Sequence, residues 1–308
     1  MERVEGGETL PERLRGAVVA LGNFDGFHLG HQAVVGRAVD TARARGVPAI
    51  VATFDPHPVR YFRPDTPPFR LTTLDQRERL FGAAGAAAML VFRFDGRLAQ
   101  VSAGEFVRGW LAGMGGVVTG EDFTFGRDRG GNVAVLRELG AGQSLTVETV
   151  APVMLDGAPV SSSRVRAALK AGDCAEATRL LTRPFAIEGV VQHGDKVGRT
   201  LGYPTANLDL GKYLRPRYGV YAVRARLPDG RVLDGAANLG IRPQFDPPKE
   251  LLEPYFFDFA GDLYEQCLEV QLLAHLRDEA RFAGLDALKA QMAEDVGRAR
   301  TLLSARPT

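Results

Sequence analysis

The first half of the chain alternates short apolar runs with amphipathic stretches, and this alternation constrains the fold more than any other feature of the sequence. An apolar run at residues 17–22 precedes an amphipathic stretch at 32–45, and a second run at 48–54 precedes another at 74–83. The runs indicate buried strands, and the stretches between them have helical spacing. A chain that repeats strand and helix favours a parallel sheet with helices on both faces, so we expect a doubly wound α/β domain.

The same pattern extends to residue 150, and two predicted helices have recognisable starts. The further strands are expected at residues 86–94, 116–120 and 144–150, with a helical stretch at 102–114. Thr73 with Gln76 and Ser102 with Glu105 have the spacing of a capping box, in which the two side chains bond to amides of the first turn. Sheets of this kind bind ligands at the carboxyl ends of their strands.

The pattern of predicted elements changes at Arg183-Pro184, after two short helical stretches at 163–171 and 175–181. Strands are then predicted at residues 186–193, 217–227, 231–239, 253–259 and 265–276. Turn residues separate these strands without a long helix, which favours antiparallel pairing in a small β-barrel, closed by one C-terminal amphipathic helix. We therefore predict two domains, residues 1–182 and 183–308.

Composition supports two hydrophobic cores and excludes several classes of protein. Charged residues make up 24% and hydrophobic residues 45% of the 308 positions, as in ordinary globular proteins. The net charge is +1 without a basic cluster, so we expect neither nucleic acid nor a membrane surface as a partner. Residues 1–15 resemble neither a signal nor a transit peptide, and the two cysteines, Cys174 and Cys267, lie far apart. We expect a cytoplasmic protein.

One segment at the end of the first predicted strand concentrates glycine and histidine. Residues 22–31 contain three glycines and the pair His28 and His31, directly before a helical pattern. Glycines at such a point let main-chain amides approach a phosphate, and histidines there can stabilise charge on a transferred phosphorus. Two other readings are a metal site built on His-x-x-His and an ordinary polar turn.

The segment Gly22-Asn23-Phe24-Asp25-Gly26-Phe27-His28-Leu29-Gly30-His31 resembles the signature of the nucleotidyltransferases, and in this long form that of the bacterial FAD synthetases. Residues 53–58, 120–127 and 161–166 are similar to further segments of that family. The resemblance implies a Rossmann-like nucleotidyltransferase domain in which His28 and His31 are catalytic.

It also implies two sets of binding residues. The expected ATP and phosphate contacts are Gly22, Phe24, Asp25, Gly26, Gly30, Ser161, Ser162, Ser163, Arg164 and Arg166. The expected flavin contacts of this domain are His57, Asp122 and Phe123. Taken alone, residues 161–166 could be a serine N-cap with solvent-exposed arginines, His57 an ordinary loop residue, and Asp122 a turn cap.

The second half resembles riboflavin kinase from Gly189 to the tetrapeptide Pro204-Thr205-Ala206-Asn207 and again at residues 238–243 and 252–264. The resemblance implies that Thr205 and Asn207 hold ATP and Mg²⁺, that Glu253 is the general base, and that Arg242 contacts the flavin. Further ATP contacts are expected at Gly194, Lys196 and Gly198. The sequence departs from that family at Gln244, Tyr255 and Glu265, the last of which replaces a common glycine.

Together these segments indicate a bifunctional riboflavin kinase/FMN adenylyltransferase, a Mg²⁺-dependent transferase. Its expected substrates and products are riboflavin, FMN, FAD, ATP, ADP and pyrophosphate. Two alternatives stay open: a nucleotidyltransferase that acts on another phosphorylated acceptor, such as pantetheine phosphate, and a flavin or nucleotide sensor without turnover. The sequence leaves the oligomeric state open.

Overall fold

The computed structural model describes residues 1–7, 10–193, 202–242 and 248–305. Within it the chain forms two compact units. The first comprises residues 1–67 and 72–162, and the second comprises residues 68–71 and 163–308. The expected domain boundary after residue 182 stays a prediction, because a spatial division does not decide which residues each activity needs.

A six-stranded parallel sheet forms the centre of the first unit. Its strands are β1 (Glu2–Gly6), β2 (Val18–Leu21), β3 (Ala49–Asp55), β4 (Ala88–Arg93), β5 (Gly116–Gly120) and β6 (Thr146–Val150). Their spatial order is β1-β4-β3-β2-β5-β6, with Val18 in register with Ala49 on one side and Gly116 on the other. The chain adds strands on one side of β2 and then crosses to the other, so β2 and β5 flank the topological switch point.

Helices cover both faces of this sheet. They are α1 (Leu29–Arg45), α2 (Pro58–Phe62), α3 (Leu74–Ala83), α4 (Gly96–Ala99), α5 (Ala103–Glu105) and α6 (Val133–Ala141), with a π-helical turn at Phe106–Trp110 and a short hairpin, β7 (Met154–Leu155) and β8 (Ala158–Pro159). Val18 and Ala20 pack with residues of α1 on one face, and Val19 and Leu21 pack with Leu136 of α6 on the other. Strand residues alternate between two cores, which confirms the doubly wound fold.

Both predicted capping boxes are present. Thr73 Oγ1 accepts the amide of Gln76 at 3.2 Å, and the Gln76 side chain accepts the amide of Thr73 at 2.9 Å. Ser102 and Glu105 make the corresponding pair of bonds. The second box starts only one α-helical turn, which continues into the π-helical turn.

In the second unit, two helices precede an antiparallel sheet that is nearly closed into a barrel. The helices are α7 (Ser162–Ala171), whose first residue belongs to the first unit, and α8 (Cys174–Leu181). The strands are β9 (Phe185–Val190), β10 (Leu208–Asp209), β11 (Gly219–Arg226), β12 (Val232–Arg242), β13 (Lys249–Phe256) and β14 (Cys267–Arg277), in the order β10-β13-β12-β11-β14-β9. An antiparallel bridge between Gln192 and Asn207 links the two ends of this order. The expected small barrel is confirmed.

A long C-terminal helix, α9 (Leu285–Ser304), packs on the barrel with the last part of its apolar stripe. The sequence predicts this stripe from Leu285, Leu288, Met292, Val296, Ala299 and Leu303. Ala299 and Leu303 are buried against Ala236 and Leu273, whereas Leu285 is 63% exposed. Asp295, which the stripe does not include, is also buried, because it accepts a fork of hydrogen bonds from Arg277 of β14. No helix in the described part of the chain is long and apolar enough to span a membrane.

Three features differ from the sequence-based expectations. Residues 2–6 form strand β1, parallel to β4, although the segment is largely charged. Strand β13 begins at Lys249, four residues before the expected start. Residues 68–71 belong to the second unit, where the amide of Arg70 donates to the Lys212 carbonyl and the Arg70 carbonyl accepts the amide of Leu214.

Candidate active sites

The glycine- and histidine-rich segment forms the loop between β2 and α1, at the switch point of the first sheet. Phe24, Gly26 and Phe27 have φ angles of +51°, +89° and +46°, so three residues of this four-residue turn adopt left-handed backbone. Two of them are aromatic and buried, and both rings make edge contacts with Phe81 of α3. Burial of the rings holds a backbone conformation that non-glycine residues otherwise avoid.

His28 and His31 lie together at the start of α1. His28 is the N-cap residue, and its Nδ1 accepts the main-chain amide of His31 at 3.4 Å. The two imidazole rings stack with their centroids 3.6 Å apart, and the ring of Phe24 contacts that of His31 edge-on at 5.2 Å. The structure therefore brings both predicted catalytic histidines to one helix N-terminus, where amide dipoles favour an anion.

Gly30 and Gly22 both lie so close to neighbouring groups that a Cβ atom would make tight contacts. A Cβ atom at Gly30 would lie 3.2 Å from the imidazole of His28 and 3.4 Å from the Val160 carbonyl. A Cβ atom at Gly22 would lie 3.1 Å from the Phe24 ring. Glycine at these two positions permits the close approach of helix, loop and histidine.

The carboxylate of Asp25 is directed into the protein interior. Asp25 is 1% exposed and pairs with the equally buried Arg77 of α3 at 2.9 Å. Its Oδ1 also accepts the amide of Thr72 at 3.1 Å, and its carbonyl accepts the hydroxyl of Ser162 at 2.8 Å. Because the side chain is enclosed, a direct carboxylate contact with ATP does not fit this structure, and Asp25 contributes through the loop it holds.

The expected flavin contacts of the first unit follow the neighbouring strands. His57 comes after β3 and caps α2, with its Nδ1 accepting the amide of Val59 at 3.2 Å. Asp122 and Phe123 follow β5, and the Phe123 ring stacks on that of Phe125 at 5.7 Å. Parallel strands β3, β2 and β5 are adjacent, so all three loops lie at the same edge of the sheet.

The serine and arginine segment divides between the two units. Ser161 and Ser162 belong to the first unit, whereas Ser163, Arg164 and Arg166 belong to the second. Within the second unit Arg164 pairs with Glu176 at 2.5 Å, and Arg166 donates to the Phe69 carbonyl at 2.8 Å and lies over the Phe69 ring. Both guanidinium groups thus have protein partners in this structure.

A cavity of about 320 Å³ opens in the second unit beside the expected magnesium ligands. Its lining includes Val191, Thr205, Phe256, Asp262 and Tyr264. The amide of Ala206 donates to the Pro254 carbonyl at 2.9 Å, and the register of β10 with β13 places Asn207 opposite Glu253. The barrel therefore brings Thr205, Asn207 and Glu253 into one neighbourhood, although they are about fifty residues apart in the sequence.

Glu253 is paired with Arg242, the expected flavin contact. The two side chains form an ion pair and are 15% and 25% exposed, respectively. Burial lowers the pKa of Arg242, an effect that the charge of Glu279 partly offsets, and a guanidinium remains protonated at neutral pH nonetheless. The ion pair therefore holds the side chains of Arg242 on β12 and Glu253 on β13 together.

The remaining expected ATP contacts of this unit, Gly194, Lys196 and Gly198, lie outside the described residues, as does Gln244. Sequence reasoning also missed residues that the structure places at the sites. Arg77 and Thr72 support the histidine loop through bonds to a residue some fifty positions away, a separation with no local signal. Asp262 and Tyr264 line the cavity, and the resemblance of residues 252–264 to riboflavin kinase was the available signal.

Comparison with known proteins covers both units. The FAD synthetase family model matches residues 10–164, and the riboflavin kinase family model matches residues 181–303. The bifunctional riboflavin kinase/FMN adenylyltransferase of Pseudomonas fluorescens is 44% identical over 98% of both chains. The proteins of the same name from Escherichia coli K12 and Haemophilus influenzae are 38% and 35% identical over at least 92% of each chain.

A solved structure from Streptococcus pneumoniae, described as a macrolide-efflux protein, superposes on 97% of this chain with a TM-score of 0.88 and 30% identity. That likeness extends the shared fold to both units. Two family models in succession and relatives that align over nearly their whole length leave one assignment: the chain belongs to the bifunctional riboflavin kinase/FMN adenylyltransferase family.

Proposed function

We propose that the two units catalyse successive reactions of flavin cofactor synthesis. In the second unit, the terminal ribityl hydroxyl of riboflavin attacks the γ-phosphorus of ATP, which gives FMN and ADP. In the first unit, a phosphate oxygen of FMN attacks the α-phosphorus of a second ATP, which gives FAD and pyrophosphate. Membership of the family makes the chain a transferase with both activities, and the assignment of each step to named residues is our proposal.

The observation that carries the adenylyl transfer is the His28–His31 arrangement at the start of α1. Because Nδ1 of His28 accepts the amide of His31, a neutral His28 ring carries its proton on Nε2. An imidazole in this tautomer donates a hydrogen bond to a phosphate oxygen without changing its charge. His28, His31 and the first amides of α1 then stabilise charge on the transferred phosphorus and on the leaving pyrophosphate.

For the kinase step, Glu253 accepts the proton of the attacking hydroxyl. The carboxylate is paired with Arg242, and Glu253 directly precedes Pro254, whose carbonyl accepts the amide of Ala206 in the cavity lining. Positioning accounts for most of the remaining rate enhancement, since phosphoryl transfer needs little covalent participation from the protein.

Thr205 and Asn207 would hold Mg²⁺ in the second unit. Thr205 lines the cavity, Asn207 lies opposite Glu253, and their hydroxyl and amide oxygens are the hard donors that this ion prefers. When bound, the ion neutralises charge on the phosphates of ATP.

The other assignments complete the two sites. In the first unit, Gly22, Phe24, Gly26 and Gly30 shape the phosphate loop, Ser161 and Ser162 bind ATP phosphates, and His57, Asp122 and Phe123 contact the flavin. Ser163, Arg164 and Arg166, which belong to the second unit, also bind ATP phosphates. In the second unit, Gly194, Lys196 and Gly198 complete the ATP contacts, and Arg242 contacts the flavin as well as Glu253. The proposal places the protein in the cytoplasm.

Two variants test the division of labour. The double variant His28→Ala, His31→Ala should lose at least 100-fold in FAD formation from FMN and keep FMN formation from riboflavin, because only the first site is altered. Glu253→Ala should lose a similar factor in FMN formation and keep FAD formation from added FMN. Product separation after incubation with ATP and Mg²⁺ measures both activities in each variant.

Each activity serves as the folding control for the other. Equal loss of both activities in either variant would contradict the assignment of one reaction to each unit. Turnover of riboflavin by the unaltered protein separates this proposal from the two alternatives, since a transferase for another acceptor or a sensor would form no FMN.

A further inference from the structure

We propose that Arg77 is a positioning residue for adenylyl transfer, which acts by fixing the backbone of the loop that carries His28. The inference rests on the proposed function of the first unit and adds to it a residue that contacts neither histidine. The argument depends on a buried polar network of Arg77, Asp25, Thr53 and Thr72, called here the loop anchor.

The guanidinium group of Arg77 binds three parts of the loop anchor. It is 1% exposed, and its Nη2 donates to Asp25 Oδ1 at 2.9 Å. Its Nη1 donates to Thr53 Oγ1 at 3.2 Å, and its Nε donates to Thr72 Oγ1 at 3.1 Å. The planar guanidinium group of arginine has separate donors that can make these three contacts simultaneously. The single ammonium group of lysine cannot reproduce them.

Through these contacts Arg77 reaches the loop on both sides of Phe24. On one side, the Thr53 hydroxyl that accepts from Arg77 donates to the Asn23 carbonyl at 2.8 Å. On the other side, the charge of Arg77 is paired directly with Asp25. The residue between them, Phe24, has left-handed backbone with a φ of +51°.

Thr72 extends the hold to the next residue of the loop. Its hydroxyl accepts the amide of Gly26 at 3.0 Å, and its own amide donates to Asp25 at 3.1 Å. The loop anchor therefore binds Asn23, Asp25 and Gly26, and the last of these lies two positions before His28.

Stability alone is a poor account of this arrangement. Removal of two charges from water costs several kcal/mol per ion, and a well-packed apolar pair of similar volume is often at least as stabilising. A loop with left-handed residues at three of four positions also relaxes unless its surroundings hold it. A catalytic group must be kept within about 0.5 Å of its productive position, and a network that fixes the preceding backbone meets this need for His28.

The effect should fall on kcat and not on KM. His28 stabilises charge that develops only as the α-phosphorus is attacked. If His28 is displaced, this contact is lost in the transition state, and such a loss lowers kcat and kcat/KM equally. A purely structural role would instead lower thermal stability and the fraction of active protein, with no change in the turnover of the folded molecules.

The test measures FAD formation from FMN in the full chain with Arg77→Lys and Thr53→Val. We expect Arg77→Lys to lower kcat at least tenfold, with the KM values of ATP and FMN changed less than threefold. Thr53→Val conserves shape but removes the link to Asn23, and we expect about a fivefold loss of kcat. FMN formation from riboflavin should stay within twofold of the unaltered chain, but it reports only on the second unit. Folding of the first unit is therefore measured by thermal unfolding followed by circular dichroism, and kcat is given per folded molecule.

Thr119→Val is the matched control. Thr119 is 1% exposed, and its hydroxyl donates to the carbonyl of Leu21 in strand β2, outside the loop anchor. This variant should keep kcat within twofold. If Arg77→Lys does not fold, Thr53→Val decides the question.

A folded Arg77→Lys or Thr53→Val protein with unchanged kcat would overturn the inference, as would a loss of kcat that Thr119→Val shares. Failure of the proposed function looks different, because the unaltered chain would then form no FAD from FMN.

Discussion

Glu265 is a non-glycine residue with left-handed backbone. It lies where riboflavin kinases commonly have glycine, and it adopts a φ of +63° on the exposed turn before β14. Left-handed backbone costs a residue with a Cβ atom about 1 kcal/mol, and more when the side chain is branched at Cβ.

Substitutions at Glu265 should therefore follow backbone preference and not charge. We expect Glu265→Asn to raise the free energy of unfolding by about 0.5 kcal/mol and Glu265→Val to lower it by about 1 kcal/mol. Urea unfolding followed by circular dichroism measures both. Equal stability of the two variants would show that this turn tolerates any side chain.

Residues of the two sites differ in how far the sequence predicts them. His28, His31 and Gly30 lie within one short segment, so their spacing alone indicates an anion site at a helix start. Arg77 has no such signal, because its partner Asp25 is 52 positions away and only the packing of α3 against the loop after β2 joins them. Buried arginines are rare enough that sequence reasoning assigns them to the surface.

At the scale of whole elements, the ion pairs of strand β13 should make the stability of the second unit depend on pH in the acid range. Glu250 accepts hydrogen bonds from the Tyr218 hydroxyl and from Arg215 Nε, the latter at 2.7 Å. Partial burial raises the pKa of Glu250, but these two bonds outweigh it, and the pKa lies below its ordinary value of 4.5. Tyr218 remains a donor, since burial raises its pKa to about 12.

A carboxyl group whose pKa is lowered in the folded state contributes stability above its unfolded pKa and loses it as the pH falls through the folded pKa. Glu250→Gln should therefore lower the free energy of unfolding by about 1 kcal/mol at pH 7, with the difference shrinking as the pH falls below 4.5. Thermal unfolding midpoints at pH 7 and pH 3.5 measure this. Glu138→Gln, on the exposed face of α6, is the control, and a loss for Glu250→Gln that is the same at both pH values would contradict the argument.

Elements with a clear apolar period were predicted within a few residues, and those without one were not. Helix α3 spans Leu74–Ala83, as the sequence predicts, because a capping box marks its start and apolar residues mark its face. Strand β1 carries charged residues at the edge of the sheet, where one side faces no further strand, and so lacks the pattern of a buried strand. Strand β13 begins with the charged residues Lys249 and Glu250, which lack the apolar pattern of a strand start.

On the scale of the whole molecule, the order of the sequence and the division into units disagree at one point. Residues 68–71 come from the first half but belong to the second unit, where main-chain bonds join Arg70 to Lys212 and Leu214. Composition and periodicity group each residue with its neighbours along the chain. They could therefore not predict that four residues of the first half belong to the second unit.

Leu71→Ala tests this exchange. Leu71 is 1% exposed, and loss of a buried leucine side chain costs about 2–5 kcal/mol. We expect the temperature of half-inactivation to fall further for FMN formation than for FAD formation. Leu98→Ala, which opens the core of the first unit, should show the reverse order. Parallel shifts of both activities in both variants would contradict an independent role for residues 68–71.

The bridge between Gln192 and Asn207 has a consequence for how the kinase site can evolve. The carbonyl of Asn207 accepts the Gln192 amide that joins the two ends of the sheet, whereas we propose that its side chain holds Mg²⁺. On that proposal, the barrel and the kinase site use different atoms of one residue. A substitution of the side chain would then alter the affinity for the cation and leave the main-chain bridge between the two ends of the sheet in place.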